Sequence, residues 1–140
     1  MTQLDEFVDV FELLGDWDQR YQYLIEMGER LPDMPDKYRT EDNRVKACMS
    51  KVWIKAYLDN GNIRFHGDCD SSVIKGVLAL LMSLCEGLSA QQIKQLDMDE
   101  IFASLNLAEH LSPNRHVGVY AMFDLMKKKA MQANKQTAVT

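Results

Sequence analysis

Cysteine is scarce and irregularly placed. The 140 residues hold three, Cys48, Cys69 and Cys85, an odd number with no Cys-x-x-Cys spacing. A disulfide framework is therefore disfavoured and reduced thiols are expected. Long apolar runs are missing too. The longest, Val77-Leu78-Ala79-Leu80-Leu81-Met82 followed by Leu84 and Cys85, is far short of the roughly 20 residues a membrane-crossing helix needs, so no membrane partner is expected. Cations are outnumbered, 16 Lys and Arg against 21 Asp and Glu for a net charge of −5. No domain-wide positive field exists to hold phosphate backbones, and nucleic-acid binding is disfavoured. Also absent are Gly-x-x-x-x-Gly-Lys-Ser/Thr, Gly-x-Gly-x-x-Gly, His-Glu-x-x-His and Gly-x-Ser-x-Gly, which removes support for nucleotide-binding, zinc-protease and hydrolase readings. His66, His110 and His116 fall in different elements without nearby cysteine ligands, so no metal site is assigned. The first residues, Met1-Thr2-Gln3-Leu4-Asp5-Glu6, are acidic and amphipathic rather than basic and then apolar, and no Asn-X-Ser/Thr sequon occurs; a cytoplasmic protein is expected.

What is present suits one α+β domain spanning residues 1–140, with 46% apolar and 26% charged residues. A chain of this length buries about two-thirds of its unfolded surface without needing staples. Residues 1–42 hold twelve acids and four bases, whereas residues 43–140 hold nine acids and twelve bases. A short helix is expected from Leu4 to Leu14. A second follows over about 17–30, opened by an Asp16/Gln19 capping box and closed before Pro32 and Pro35. Val52, Ile54, Ala56 and Leu58 alternate with Trp53, Lys55 and Tyr57, and Ile63 and Phe65 alternate with Arg64 and His66. Asn60-Gly61 between them suits a type I′ hairpin turn, whose two central residues need positive φ. A third short strand at Arg44 to Lys46 is expected to complete a three-stranded antiparallel sheet.

Helical spacing returns after Gly67. Asp70, Ser71 or Ser72 caps a core helix carrying Val73, Ile74, Val77, Leu78, Leu81, Leu84 and Cys85, which ends at Gly87. Ser89 with Gln92 and Asp97 with Glu100 mark two more short helices. Ser112-Pro113 opens the last helix, which is expected to close at Lys127-Lys128-Lys129, three cations complementing its macrodipole, with a frayed polar tail after Met131.

The three thiols differ in setting. Cys85 lies on an apolar helix face and reads as a small hydrophobe. Cys69, in Gly67-Asp68-Cys69-Asp70, sits between two carboxylates that disfavour a thiolate and a helix N-terminus that favours one; it reads as a spectator. Cys48 lies in Asn43-Arg44-Val45-Lys46-Ala47-Cys48-Met49-Ser50-Lys51-Val52-Trp53, between expected strands. Arg44, Lys46, Lys51 and Lys55 are near it in sequence, a neighbourhood of the kind that lowers a thiol's pKa. On charge alone, a strand-end core cysteine with merely solvated cations is the better reading.

The segment Val45-x-x-Cys48-x-Ser50-x-Val52-Trp53 resembles the cysteine motif of the SufE family of sulfur-acceptor proteins. Further matches follow in order. Gly67-Asp68-Cys69-Asp70 with Val73-Ile74-Lys75-Gly76 is similar to the family's Gly-Asp-Ser-Asp corner and its Ile-Val-Lys-Gly. His110-Leu111-Ser112-Pro113-x-Arg115-x-x-Gly118 is similar to its His-Leu-Ser/Thr-Pro-x-Arg-x-x-Gly, and Tyr23-Leu24-Ile25-Glu26-Met27-Gly28-x-Arg30-Leu31-Pro32 to its second helix. Ala47 stands where the family usually has Gly, and Cys69 where it usually has Ser.

This resemblance implies helices around a short antiparallel sheet, as in IscU-like iron-sulfur scaffold proteins, with the reactive cysteine at a loop tip. It implies transpersulfidation: Cys48 takes sulfur from a cysteine desulfurase, SufS- or CsdA-like, and passes it on toward iron-sulfur cluster assembly. The pyridoxal phosphate of that reaction belongs to the partner, and the chain itself needs no cofactor beyond a transient persulfide. Arg44, Lys46, Lys51 and Lys55 are then expected to stabilise the attacking thiolate, and Asp70 and Arg115 to support docking. Helix capping by Asp70, and an ion pair tying Arg115 to a neighbouring carboxylate, are the structural alternatives for those two. Cys48 is expected to rest partly buried and to swing out on docking. Rival readings are an iron-sulfur scaffold, which wants about four ligands, and an interaction module with an inert cysteine.

Overall fold

The computed structural model describes residues 2–139, with side chains through residue 135. Helix α1 (Gln3–Leu14) starts at Thr2, whose hydroxyl accepts the Asp5 N–H while the Asp5 carboxylate accepts the Thr2 N–H. This satisfies two otherwise orphaned donors. Helix α2 (Trp17–Glu29) is capped by Asp16, which accepts the Gln19 N–H at 2.9 Å. Two 3-10 turns, Asp36–Tyr38 and Glu41–Asn43, carry the chain across to strands β1 (Val52–Asp59) and β2 (Asn62–Cys69). Helices α3 (Ser72–Cys85), α4 (Ala90–Lys94), α5 (Met98–Leu105) and α6 (Pro113–Val139) follow.

The hairpin has the expected turn, with Asn60 and Gly61 at φ of 53° and 82°. Its antiparallel register pairs Val52 with Cys69 and Asp59 with Asn62. Val52, Ile54 and Ala56 of β1 are buried with Ile63 and Cys69 of β2. The opposite face stacks Tyr38, His66 and Tyr57 at centroid separations of 5.4 and 4.9 Å. On that face Asp68 accepts from Arg39 at 2.6 Å and pairs with Lys75 at 3.2 Å. Burial pushes the Asp68 carboxyl up, but the bonds from Arg39, Lys75 and the Cys69 N–H outweigh it and hold it below the usual carboxylate range.

Helix α3 is buried on almost every side, from Ile74 through Cys85. It lies between α2 and the sheet and also contacts α6. It meets α2 at two glycines, where each helix presses on the other's backbone. Met122, Phe123, Met126 and Ala130 of α6 close the core.

Two sequence expectations are corrected. The sheet has two strands, not three: residues 44–46 contribute only an isolated Arg44–Trp53 bridge, with the Val45 N–H donating to the Val52 carbonyl at 2.9 Å. Val45 is buried, and the chain turns away directly after it. The last helix does not close at Lys127-Lys128-Lys129, since α6 runs on to Val139. Lys, Ala, Met and Gln are strong helix formers, and Ala130 and Ala133 are buried. Lys127, Lys128 and Lys129 consequently lie mid-helix, beyond the last turn in which a cation complements the dipole.

Candidate functional site

The chain between Val45 and Val52 forms a loop closed at both ends. At its start, Asn43 is buried, its amide donating to the Tyr38 carbonyl at 2.8 Å and accepting from the Lys129 ammonium at 2.7 Å. At its end, Asp70 brackets Lys51: the Asp70 carboxylate accepts the Lys51 N–H at 2.9 Å, and the Asp70 N–H donates to the Lys51 carbonyl at 3.1 Å. Asp70 therefore does not cap α3. Ser71 holds the N-cap position and makes no side-chain cap bond; its N–H donates to the Cys69 sulfur at 3.4 Å.

Cys48 sits within this loop, half-buried and packed against the core. Its sulfur rests in a niche on α6 that exists because residue 118 is glycine. A Cβ at Gly118 would come within 2.8 Å of the Cys48 Sγ. The thiol borders a cleft of about 190 Å³ lined by Met49, Ser50, Ile74, Ser112, Asn114 and Arg115. Ser112, Asn114 and Arg115 bring the N-terminal end of α6 to the sulfur, and the Ser112 hydroxyl accepts the Arg115 N–H at 3.4 Å. That end of a long helix carries partial positive charge, which favours an anion such as a thiolate.

The four cations flanking Cys48 in sequence do not line this cleft. Lys46 pairs with Glu41 at 2.5 Å. Lys55, on the outward face of β1, lies 5.6 Å from the Tyr38 ring. Arg44 bridges to Trp53, and Lys51 enters the loop's closure through its backbone. The charged side chain in the cleft is Arg115, which makes no ion pair among the described residues. Sequence reasoning missed the thiol niche at Gly118 and the roles of Ile74 and Asn114. A glycine inside a helical run was the available signal for the first.

The other two thiols are quiet. Burial pushes Cys69 up to about 11 against the opposing bond from the Ser71 N–H, with the carboxylates of Asp70 and Asp68 adding to the rise. Burial pushes Cys85 up to about 12. Both stay protonated at neutral pH.

The Lys51 bracket leads to a testable expectation. Asp70→Ala removes the acceptor of the Lys51 N–H and leaves the core helix intact. Amide exchange of residues 46–51 is expected to accelerate about tenfold, equivalent to losing about 1.4 kcal/mol of local stability. Unchanged exchange in that stretch would show that the bracket does not hold the loop.

With this geometry in place, comparisons with known proteins identify the fold's lineage. A family model described as the SufE Fe-S metabolism associated domain matches residues 5–130. The chain belongs to the SufE family. It is 35% identical over 134 residues to an uncharacterized SufE-like protein of Rhizobium meliloti (strain 1021), covering 93% of this chain and 96% of that one. A second, from Rhizobium etli, is also 35% identical over 134 residues, covering 93% and 90%. Among solved structures, the solution structure of a hypothetical protein from Thermus thermophilus superposes with a TM-score of 0.78 at 22% identity, covering 95% of this chain and 98% of that chain. That likeness shows the α+β fold. The SufE domain itself is associated with Fe-S metabolism, and no helix among the described residues is long and apolar enough to cross a membrane.

Proposed function

We propose that this SufE-family protein is a cytoplasmic sulfur acceptor. Cys48 takes the terminal sulfur from the persulfide of a pyridoxal-phosphate cysteine desulfurase and passes it on, to a cluster scaffold or another acceptor, for iron-sulfur assembly. The observation that carries this reading is the Cys48 thiol, half-buried in the Gly118 niche at the mouth of an open cleft.

The Cys48 thiolate attacks the terminal sulfur of the donor persulfide. A new S–S bond forms on Cys48 as the donor's S–S bond breaks, and the donor cysteine leaves as its thiolate. The terminal hydrogen travels with the transferred sulfur, and there is no net oxidation or reduction. Displacement at sulfur needs a thiolate, a nearly linear approach and access, but no oxyanion hole. Removing the sulfur frees the desulfurase cysteine for another turnover, which accounts for stimulation of the partner.

Burial against α6 protects the persulfide from reductant between encounters, and movement of the loop delivers it on docking. Met49 and Val117, 82% and 59% exposed, flank the thiol in sequence and at its niche and offer an apolar rim to the partner. Arg115 and the N-terminal end of α6 line the cleft through which the donor persulfide reaches Cys48, and Asp70 holds the loop through Lys51. The rival scaffold reading needs several ligands in one place. Cys85 is 1% exposed in the core, and among the described residues no three His, Cys, Asp or Glu side chains converge.

The test is intact-mass spectrometry without reductant after mixing the protein with free cysteine and a SufS- or CsdA-like desulfurase. One added sulfur atom is expected on the wild type and none on Cys48→Ser. An undiminished gain on Cys48→Ser, or an unmodified wild type beside a desulfurase shown to be active, would overturn the assignment.

A further inference from the structure

A larger cleft, about 610 Å³, opens on the other side of the 3-10 turns, between residues 37–43, β1 and the middle of α6. Its volume lies in the range of small-molecule sites. Four lysines line it: Lys37, Lys55, Lys128 and Lys129. One carboxylate, Asp42, accompanies them. None of the four takes part in an ion pair among the described residues, although the chain as a whole carries a net charge of −5.

Lys55 and Lys129 are partly buried at this cleft, while Lys37 and Lys128 are exposed on its rim. Lys129 is half-buried, and its ammonium donates to the neutral amide oxygen of buried Asn43. Lys37 and Lys55 place their ammonium groups 5.1 and 5.6 Å from the Tyr38 ring. Burial, with the like charges of Lys55 and Lys128, holds the Lys129 ammonium below the usual lysine range, against the opposing pull of Asp42. Like charges gathered around a concavity repel one another, and an anion placed among them relieves that repulsion.

From this geometry we infer that the cleft is a binding site for a small oligophosphate, recognised through its charge by Lys37, Lys55, Lys128 and Lys129. Lysines act as point charges rather than planar forks, so the site reads phosphate charge rather than carboxylate shape. The Tyr38 ring is already stacked on His66 and flanked by two ammoniums, so no face is left for a nucleobase. Free pyrophosphate and a nucleoside diphosphate should therefore bind alike. The site is separate from the thiol: Lys129 lies eleven residues beyond Gly118 on α6, about 16 Å along the helix axis. It does not depend on the sulfur-acceptor reading.

The experiment is isothermal titration calorimetry of the whole chain with pyrophosphate, ADP, sulfate and a tetraglutamate peptide at one fixed ionic strength. Pyrophosphate and ADP are expected to bind within about threefold of each other and at least tenfold more tightly than sulfate. Lys55→Gln/Lys129→Gln is expected to weaken pyrophosphate at least tenfold. Because losing the Asn43 contact could unsettle the fold, Lys37→Gln/Lys55→Gln/Lys128→Gln, which keeps that contact, is measured beside it and should lose as much. Equal affinity for sulfate and pyrophosphate, full affinity in the triple variant, or tighter binding of the peptide would each overturn the proposal, the last in favour of an acidic protein segment. ADP binding much more tightly than pyrophosphate would overturn recognition by phosphate charge alone.

Discussion

Gly118→Ala is expected to expel the Cys48 thiol from its niche and raise its rate with a disulfide thiol probe by about tenfold or more at neutral pH. A tenfold change corresponds to shifting the balance between the sheltered and exposed thiol by about 1.4 kcal/mol. The added Cβ would sit 2.8 Å from the sulfur but 3.4 Å from the Cys48 Cβ and 3.5 Å from its Cα. The sulfur is the free end of a short side chain, so it yields by rotating outward while the backbone stays. Alanine is also the better helix former by about 0.5–1 kcal/mol, so helical content should hold or rise as the thiol is released. This separates the effect from general loosening of the fold. A persulfide formed on the variant should disappear faster in dithiothreitol than on the wild type. An unchanged or slower probe reaction in a folded Gly118→Ala protein would show that the niche does not gate the sulfur.

The site was legible where its signals are local. Cys48 is placed by its own segment, and Asp70 and Arg115 by motifs that carry their spacing with them. The cationic group around Cys48 was not, because neighbours in sequence diverge in space. Lys46 reaches back to Glu41, Lys51 turns at the loop's end, and Lys55 belongs to a strand whose alternate residues face opposite sides. The cation that lines the thiol cleft comes from α6, 67 positions after Cys48. Asp70 stood out in the sequence, but its bonding partner did not. Carboxylate-then-helix sequences usually cap, and only the folded loop puts the Lys51 N–H within its reach.

In the fold, the hairpin was readable because Asn60 and Gly61 meet a backbone requirement by themselves. The third strand was overread because alternation over three residues cannot distinguish a strand from a single bridge, and only the turn after Val45 decides it. In sequence the lysine run reads as a helix end because its charges fit one. That α6 continues depends on Ala130 and Ala133 finding buried contacts, which is tertiary information. The same continuation turns Lys128 and Lys129 from end-complementing charges into the wall of a cleft.

Gly76→Ala is expected to have the largest effect on stability, about 3 kcal/mol or more, seen as a large drop in the urea or thermal midpoint. Overpacking a core costs about 1–3 kcal/mol when side chains can adjust, but here no side chain stands in the way. A Cβ at residue 76 would lie 2.1 Å from the Leu24 carbonyl oxygen, 2.4 Å from its carbon and 2.9 Å from its Cα. These are backbone atoms of α2, so the two helices must separate. On the facing helix, a Cβ at Gly28 would come within 2.9 Å of the Gly76 nitrogen, so the closeness is built from both sides. Three kcal/mol is a large share of the roughly 5–15 kcal/mol that holds a typical domain together. Gly15→Ala is the matched control. Its φ of 79° and ψ of −69° disfavour a side chain, but a Cβ there meets nothing within 4 Å, so a loss of about 1–3 kcal/mol is expected from backbone strain alone, without separation of α2 from α3. Separation of α2 from α3 also reaches the site. Ile74 and the Asp70–Ser71 corner begin α3 and form one side of the thiol cleft and loop, so surviving folded protein should show a disturbed Cys48 reaction rate. A Gly76→Ala protein within 1 kcal/mol of the wild type would mean that the helices tolerate separation and that the paired glycines have another role.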